Sequence, residues 1–152
     1  MYVRAVRRSN WERLAAGEAA AINLCAAELT RGGTLVSVYE CGSEASLELV
    51  AVAISATRQR QPFHYIQVGR GDLDAADVAV VATEGKTPLP SVNRLHRDLN
   101  LSGGRALALV ARLAERRIAV AVISEAQLRE FARSLLDDAC EKGDEKGDGP
   151  QS

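Results

Sequence analysis

The side chains best suited to chemistry gather between residues 83 and 105. Ser91, Asn93, Arg94, His96, Arg97 and Asp98 form the densest polar group ahead of the C-terminal tail, and Gly85-Lys86-Thr87 comes shortly before them. Like charge nearby favours a neutral imidazole, the form a general base needs near neutral pH, so His96 is the candidate catalytic residue. Lys86, Arg94 and Arg97 are candidate clamps for a phosphate or carboxylate. Thr87, Ser91 and Asn93 add hydrogen-bonding groups. Ser102-Gly103-Gly104 reads as a helix N-terminus whose free N–H groups attract anions, which brings Ser102 and Arg105 into the same candidate ligand set. The plain alternative is a solvated helix face over 92–99, with Val92, Leu95 and Leu99 inward and an Arg94–Asp98 pair outward.

Familiar signatures fail on their spacing. Gly85-Lys86-Thr87 follows an apolar run as the end of a phosphate-binding loop would, but the first glycine of that pattern falls on Val80, and Pro88 blocks the helix the phosphate needs. Leu101-Ser102-Gly103-Gly104 and His96-Arg97-Asp98-Leu99 are four-letter coincidences with ATPase and kinase signatures, without the glycine-rich loops that accompany those elements. Cys25, Cys41 and Cys140 are widely spaced, odd in number and outside any C-x-x-C pattern, and His64 and His96 lack neighbours at ligand spacing. No metal site, no cofactor and no disulfide framework is therefore expected. Cys41 falls at a strand end before a helix, where a thiolate can be stabilised, but the simpler expectation is a buried, inert thiol.

The elements that must position these residues read as alternating strands and helices. Tyr2 to Arg8 reads as a first strand, and a helical segment runs from Trp11 to Leu29, divided near Gly17. Thr34 to Glu40 alternates as a strand. Glu44 to Arg58 carries both a helical stripe (Leu47, Val50, Ala51, Ile54) and a strand-like alternation, with length and alanine content favouring the helix. Phe63 to Val68 is a strand ended by Gly69-Arg70-Gly71-Asp72. Val78 to Thr83 and Ile118 to Ile123 are continuous apolar runs of the kind covered on both faces. Ser102 is expected to cap a helix over Arg105 to Arg117, and Ser124 a final amphipathic helix. This order predicts a layered α/β domain over residues 1–140, with a mostly parallel sheet of about four to five strands flanked by helices. Ligands then belong at the carboxyl ends of the strands: Cys41-Gly42-Ser43, Gly69 to Asp72, Thr83 to Arg97, and Ser124-Glu125.

The length of 152 residues, 47% of them hydrophobic, suffices for a sizeable core. No apolar run approaches the ~20 residues of a membrane span, and no secretory leader is evident, so a cytoplasmic protein is expected. The net charge of −1 conceals an asymmetry. Residues 1–136 hold 17 Lys and Arg against 14 Asp and Glu, whereas residues 137–152 hold 2 against 6. Residues 141–152 are expected to form a disordered acidic tail. Of the 17 cations in the body only Lys86 is not Arg. Arg58, Arg60, Arg70, Arg94, Arg97 and Arg105 would make a nucleic-acid edge if they gathered.

The leading expectation is a small cytoplasmic α/β binding or assembly module, non-catalytic, whose 83–105 edge takes an anionic partner: a nucleotide, nucleic-acid phosphate or an acidic protein surface. A homo-oligomer is left open and a membrane partner is not expected. The alternative is a small hydrolase or transferase acting on a phosphorylated or carboxylated substrate, with His96 as base.

Overall fold

The computed structural model describes residues 1–56 and 62–145. In chain order the elements are β1 (Tyr2–Ala5), α1 (Arg8–Ala15), α2 (Ala20–Leu29), β2 (Leu35–Glu40), α3 (Glu44–Ala56), β3 (Phe63–Val68), α4 (Arg70–Ala75), β4 (Val80–Ala82), α5 (Pro90–Asn93), β5 (His96–Asn100), α6 (Arg105–Glu115), β6 (Ala121–Ile123) and α7 (Glu125–Glu145). Gly17 takes a φ of 84°, which breaks the first helical segment into α1 and α2. Arg58, Arg60 and residues 146–152 of the expected tail lie outside the described residues, while the helix α7 continues to Glu145.

The strands form one six-stranded sheet in the order β4-β5-β2-β1-β3-β6, and every neighbouring pair is antiparallel. This corrects the expected parallel sheet of four to five strands. The local signal was sound, but the neighbours were not those it implied. The pairings make β2, β3 and β4 run one way and β1, β5 and β6 the other. Strands joined through α3, such as β2 and β3, are therefore parallel in direction, but β1 lies between them and pairs with both. Helical crossovers set direction, not adjacency. With strands running both ways the sheet has no single carboxyl edge, so the rule that selected four ligand segments does not apply.

Two further expectations change for the same reason. The apolar runs around β4 and β6 were read as strands covered on both faces, yet these strands are the two edges of the sheet, and Val81 and Val122 are 50% and 56% exposed. The segment 92–99 was read as a short helix. Only Pro90–Asn93 is helical, with proline in its first turn where the missing N–H costs nothing, and His96–Asn100 is a strand between β4 and β2.

Helices cover both faces, because alternate residues of each strand point to opposite sides. Trp11 and Leu14 of α1, Cys25 and Leu29 of α2, Leu73 of α4, and Leu109, Val110 and Leu113 of α6 pack with Tyr2, Val36, Val38, Ile66 and Leu99 on one face. On the other, Leu47, Val50 and Ala51 of α3, Val92 of α5 and Leu128 of α7 pack with Val3, Phe63, Tyr65 and Ile123. The α3 segment is thus a helix throughout its described length.

The shortest strand pairing lies at the centre of the sheet. β1 pairs with β3 along its whole length, Tyr2 to Ala5, and β2 pairs with β5 from Leu35 to Tyr39. Between β1 and β2 the register is only Tyr2 with Glu40 and Val3 with Tyr39. Beyond Val3 the two strands splay, and the Arg4 guanidinium crosses the gap to donate to the Ser37 carbonyl at 2.8 Å.

Candidate functional site

A cleft of about 480 Å³ lies over this splay, within the size range of small-molecule sites. The alternation of three strands builds its floor. Val3 and Ala5 of β1, Ser37 and Tyr39 of β2, and His96 and Asp98 of β5 line it, with Ile54 of α3 and the Gly85-Lys86-Thr87 loop at its sides. Arg4 reaches its end.

His96 is buried at 9% exposure and fixed from three sides. Its Nδ1 lies 2.6 Å from Thr83 Oγ1, its Nε2 lies 4.0 Å from an Asp98 carboxylate oxygen, and its ring stands edge-on to Tyr39 with centroids 5.3 Å apart. Burial raises the Tyr39 pKa, opposed by the Arg4 charge, so the phenol keeps its proton as a donor.

The loop above is locked rather than loose. Asn93 Oδ1 accepts from the Thr87 N–H at 2.7 Å and from Thr87 Oγ1 at 2.8 Å, while Asn93 Nδ2 donates to the Thr87 carbonyl at 3.0 Å. The Asn93 carbonyl accepts from the Gly85 N–H at 2.9 Å. A Cβ at Gly85 would sit 3.1 Å from Asn93 Oδ1 and 3.2 Å from His96 Cβ, so any larger residue would make Asn93 or His96 give way by a few tenths of an ångström. Thr87 and Asn93 therefore satisfy each other and position the loop, which leaves the exposed Lys86 ammonium at the rim.

Among the residues singled out in the sequence, Lys86, Thr87 and His96 meet in the cleft, and Asn93 braces it. The others do not converge there. Arg97 is the strand neighbour of His96 and so points to the opposite face, where it pairs with Glu40 at 3.1 Å. Arg94 and Ser91 are exposed and outside the lining. Ser102 and Arg105 lie beyond the far end of β5: Ser102 Oγ donates to Asn100 Oδ1, and Arg105 is held by the Asp77 carbonyl at 2.7 Å and the Asp77 carboxylate at 3.2 Å. The residue preceding α6 is Gly104, with φ of 81°, rather than the expected Ser102 cap. Arg70 donates to the Tyr2 hydroxyl. The described arginines of the expected nucleic-acid edge are thus divided between the two ends of β5 and several partners.

Ser37, Tyr39 and Arg4 were missed, Thr83 entered only as the first residue of a candidate ligand segment, and Asp98 only as a member of the polar group and an ion-pair partner. Ser37 and Tyr39 alternate with Val36 and Val38 in the β2 sequence, a pattern that does mark one strand face as polar. Nothing local marks Arg4. The cysteines do not join the site: Cys25 and Cys41 are buried free thiols, burial pushing Cys25 up to about 12 and raising Cys41 as well, which removes the thiolate from consideration. Among the described residues no three His, Cys, Asp or Glu side chains gather as metal ligands, and no helix is long and apolar enough to cross a membrane.

No family model, no curated protein and no solved structure matches this chain. The geometry alone carries the functional argument.

Proposed function

We propose that this chain is a cytoplasmic, non-catalytic module that binds a small anionic molecule in the His96–Lys86 cleft. One observation carries the reading: a preorganised row of donors and acceptors (Ser37, Tyr39, His96, Asp98) opens under a single exposed ammonium, and its rim loop is held by Asn93. Groups fixed before binding lose little entropy on binding, which is how a polar cleft gains affinity. The uncommitted cation is Lys86, whereas Arg97, the neighbouring candidate clamp, is held by Glu40.

The test is a thermal-shift and calorimetric screen of small anions, including nucleoside monophosphates, dicarboxylates and inorganic phosphate. A ligand at a hundred times its Kd raises stability by about 2.7 kcal/mol. The expected result is a ligand whose affinity falls about tenfold or more in Lys86→Ala and a few-fold in Tyr39→Phe, which removes the phenol donor. A screen in which no anion shifts the Tm, or in which neither variant alters the response, overturns the proposal.

The hydrolase or transferase reading keeps one observation in its favour, the hydroxyl–imidazole–carboxylate sequence Thr83–His96–Asp98. Product release from a bound phosphorylated ligand, lost in His96→Ala, would replace the binding reading with that one.

A further inference from the structure

The cleft does not end at Arg4. A second one, of about 650 Å³, begins there and shares Arg4, Ala5 and Ile54 with the first. Its walls come from the end of β1, the start of α1, the α2–β2 link and the start of β3, and its charged lining is Arg4, Arg7, Arg8 and Arg31 against one carboxylate, Glu28. None of these arginines belongs to the 83–105 segment.

What each charge is doing decides the character of this second cleft. Arg8 is neutralised by Glu12 at 2.5 Å, one turn further along α1. Glu28 is occupied from within: its oxygens accept from the buried Trp11 indole N–H at 2.7 Å, from Asn10 Nδ2 at 3.2 Å and from the Arg7 backbone N–H at 3.3 Å. The guanidiniums of Arg7 and Arg31 are exposed and have no carboxylate partner among the described residues. Arg4 belongs to the lining of both clefts, its guanidinium engaged by the Ser37 carbonyl. Two exposed arginines without a carboxylate partner in the lining of one cleft suit a group carrying two or more negative charges, which a single carboxylate does not match.

We infer that the two clefts are one composite site for a free nucleotide, with the phosphates at Arg7 and Arg31 and the base in the cleft of Tyr39, His96 and Asp98. The inference rests on the binding reading above and names its ligand class. The first cleft supplies what a flat, hydrogen-bonding ring needs: two aromatic rings set edge to face, a carboxylate to accept from an exocyclic amino group, and the Ser37 hydroxyl. The second supplies most of the countercharge, and Lys86 at the rim of the first adds one more cation to the bound nucleotide. Arg4, donating to the Ser37 carbonyl across the splayed strands, joins them. A free nucleotide fits better than a nucleic-acid strand, because the described arginines outside this cleft are largely committed: Arg97 to Glu40, Arg105 to Asp77, and Arg112 and Arg116 to Asp72. A strand needs a track of backbone contacts, not one pocket.

The chain has one tryptophan, and Glu28 ties it to the second cleft, so Trp11 fluorescence reports on that cleft and not on the first. The experiment titrates full-length protein with adenosine, inorganic pyrophosphate, ADP, GDP and a twelve-nucleotide single strand (roughly a one-domain footprint), following calorimetry and Trp11 emission together. The variants are Arg7→Ala combined with Arg31→Ala, and Lys86→Ala. The expected result is a nucleoside diphosphate bound at least tenfold more tightly than either adenosine or pyrophosphate, with a change in Trp11 emission, and loss of that advantage in the double arginine variant. Diphosphate binding that ignores the arginine variant and leaves Trp11 silent, yet weakens in Lys86→Ala, overturns the composite site and leaves the first cleft standing as an anion site. Pyrophosphate bound as tightly as ADP, with Lys86→Ala without effect on either, overturns both. An oligonucleotide bound more tightly than every mononucleotide also overturns the inference, in favour of a strand-binding surface.

Discussion

Two arginine clusters in this molecule each surround a single carboxylate and have opposite character. Around Asp72, Arg112 of α6 and Arg116 just after it close on one carboxylate at 3.3 and 3.0 Å, and Arg116 also donates to the Gln67 carbonyl at 2.7 Å. Asp72 is 5% exposed, and its second role is to accept from the Gly69 N–H at 2.9 Å, where it starts α4. Around Glu28, by contrast, the carboxylate is spent on Trp11, Asn10 and the chain itself, and Arg7 and Arg31 are exposed residues in the lining of a cleft. The first cluster fastens α4 to α6. The second leaves positive charge pointed at open space. An arginine-rich composition says nothing about which of the two results; the distribution of carboxylates and backbone carbonyls around each guanidinium decides it.

The sharpest way to break the comparison is at Asp72. Its pKa lies below the usual carboxylate range: burial opposes ionisation, but the Gly69 N–H and the guanidiniums of Arg116 and Arg112 outweigh it. Asp72→Ala removes a charged hydrogen-bond acceptor from the start of α4 and leaves two half-exposed guanidiniums to turn to water, at a cost of about 2–3 kcal/mol. In a chain of this size that lowers Tm by roughly 6 °C, measurable by calorimetry. The pH dependence follows from the lowered folded pKa. The unfolded state binds the proton more tightly, so the stabilisation is complete above the unfolded value of about 3.9 and is lost as pH falls through the lower folded one. The Tm gap between the native chain and Asp72→Asn should be full at pH 6 and close below that window. A gap that persists unchanged to pH 2 would show that the carboxylate's charge is not what stabilises.

Glu28 offers the next largest effect and tests the other cluster. Glu28→Ala strips the acceptor from the Trp11 N–H, which is fully buried, and costs about 1–2 kcal/mol. Glu28→Gln keeps an oxygen for the indole but removes the one carboxylate among the described residues lining the second cleft, so stability should hold within about 1 kcal/mol while pyrophosphate or diphosphate affinity rises a few-fold. Unchanged affinity in Glu28→Gln would mean that the anion does not enter this cleft.

The parts of the fold that were legible in the sequence were those with one strong period. Phe63 to Val68 was read with its observed bounds, and α3 and α6 were read from stripes that are buried except at Ile54, which is partly exposed. The failures share a cause. β5, His-Arg-Asp-Leu-Asn, is a strand because the sheet supplies partners on both sides, β2 and β4, and no local propensity marks it. β4 and β6 read as central from their apolar runs, yet they are edges. At the site, His96 and Lys86 stood out by type, but Asp98 was grouped with Arg94 on an imagined helix, when strand alternation sets it beside His96 on the cleft floor and turns Arg97 away. Arg4, Arg7 and Arg31 were illegible as a group. They come together only because β1 leaves β2 after Val3 and α2 returns the chain to the same end of the sheet.

The smallest expected effect is the most discriminating, because it concerns what the open cluster does not do. If Arg7 and Arg31 served the fold as Arg112 and Arg116 do, replacing both with alanine would cost stability on the scale of Asp72→Ala. Both are exposed, and neither guanidinium has a carboxylate partner among the described residues, so the double variant should keep its unfolding free energy in urea within about 0.5 kcal/mol of the native chain. Relief of mutual repulsion among the cations of the cleft even favours a slight gain. A loss above 1 kcal/mol would make the second cluster structural like the first, and the positive cleft would then be a by-product of packing. Stability retained together with lost diphosphate affinity would separate the two clusters by function as cleanly as their hydrogen bonds separate them by geometry.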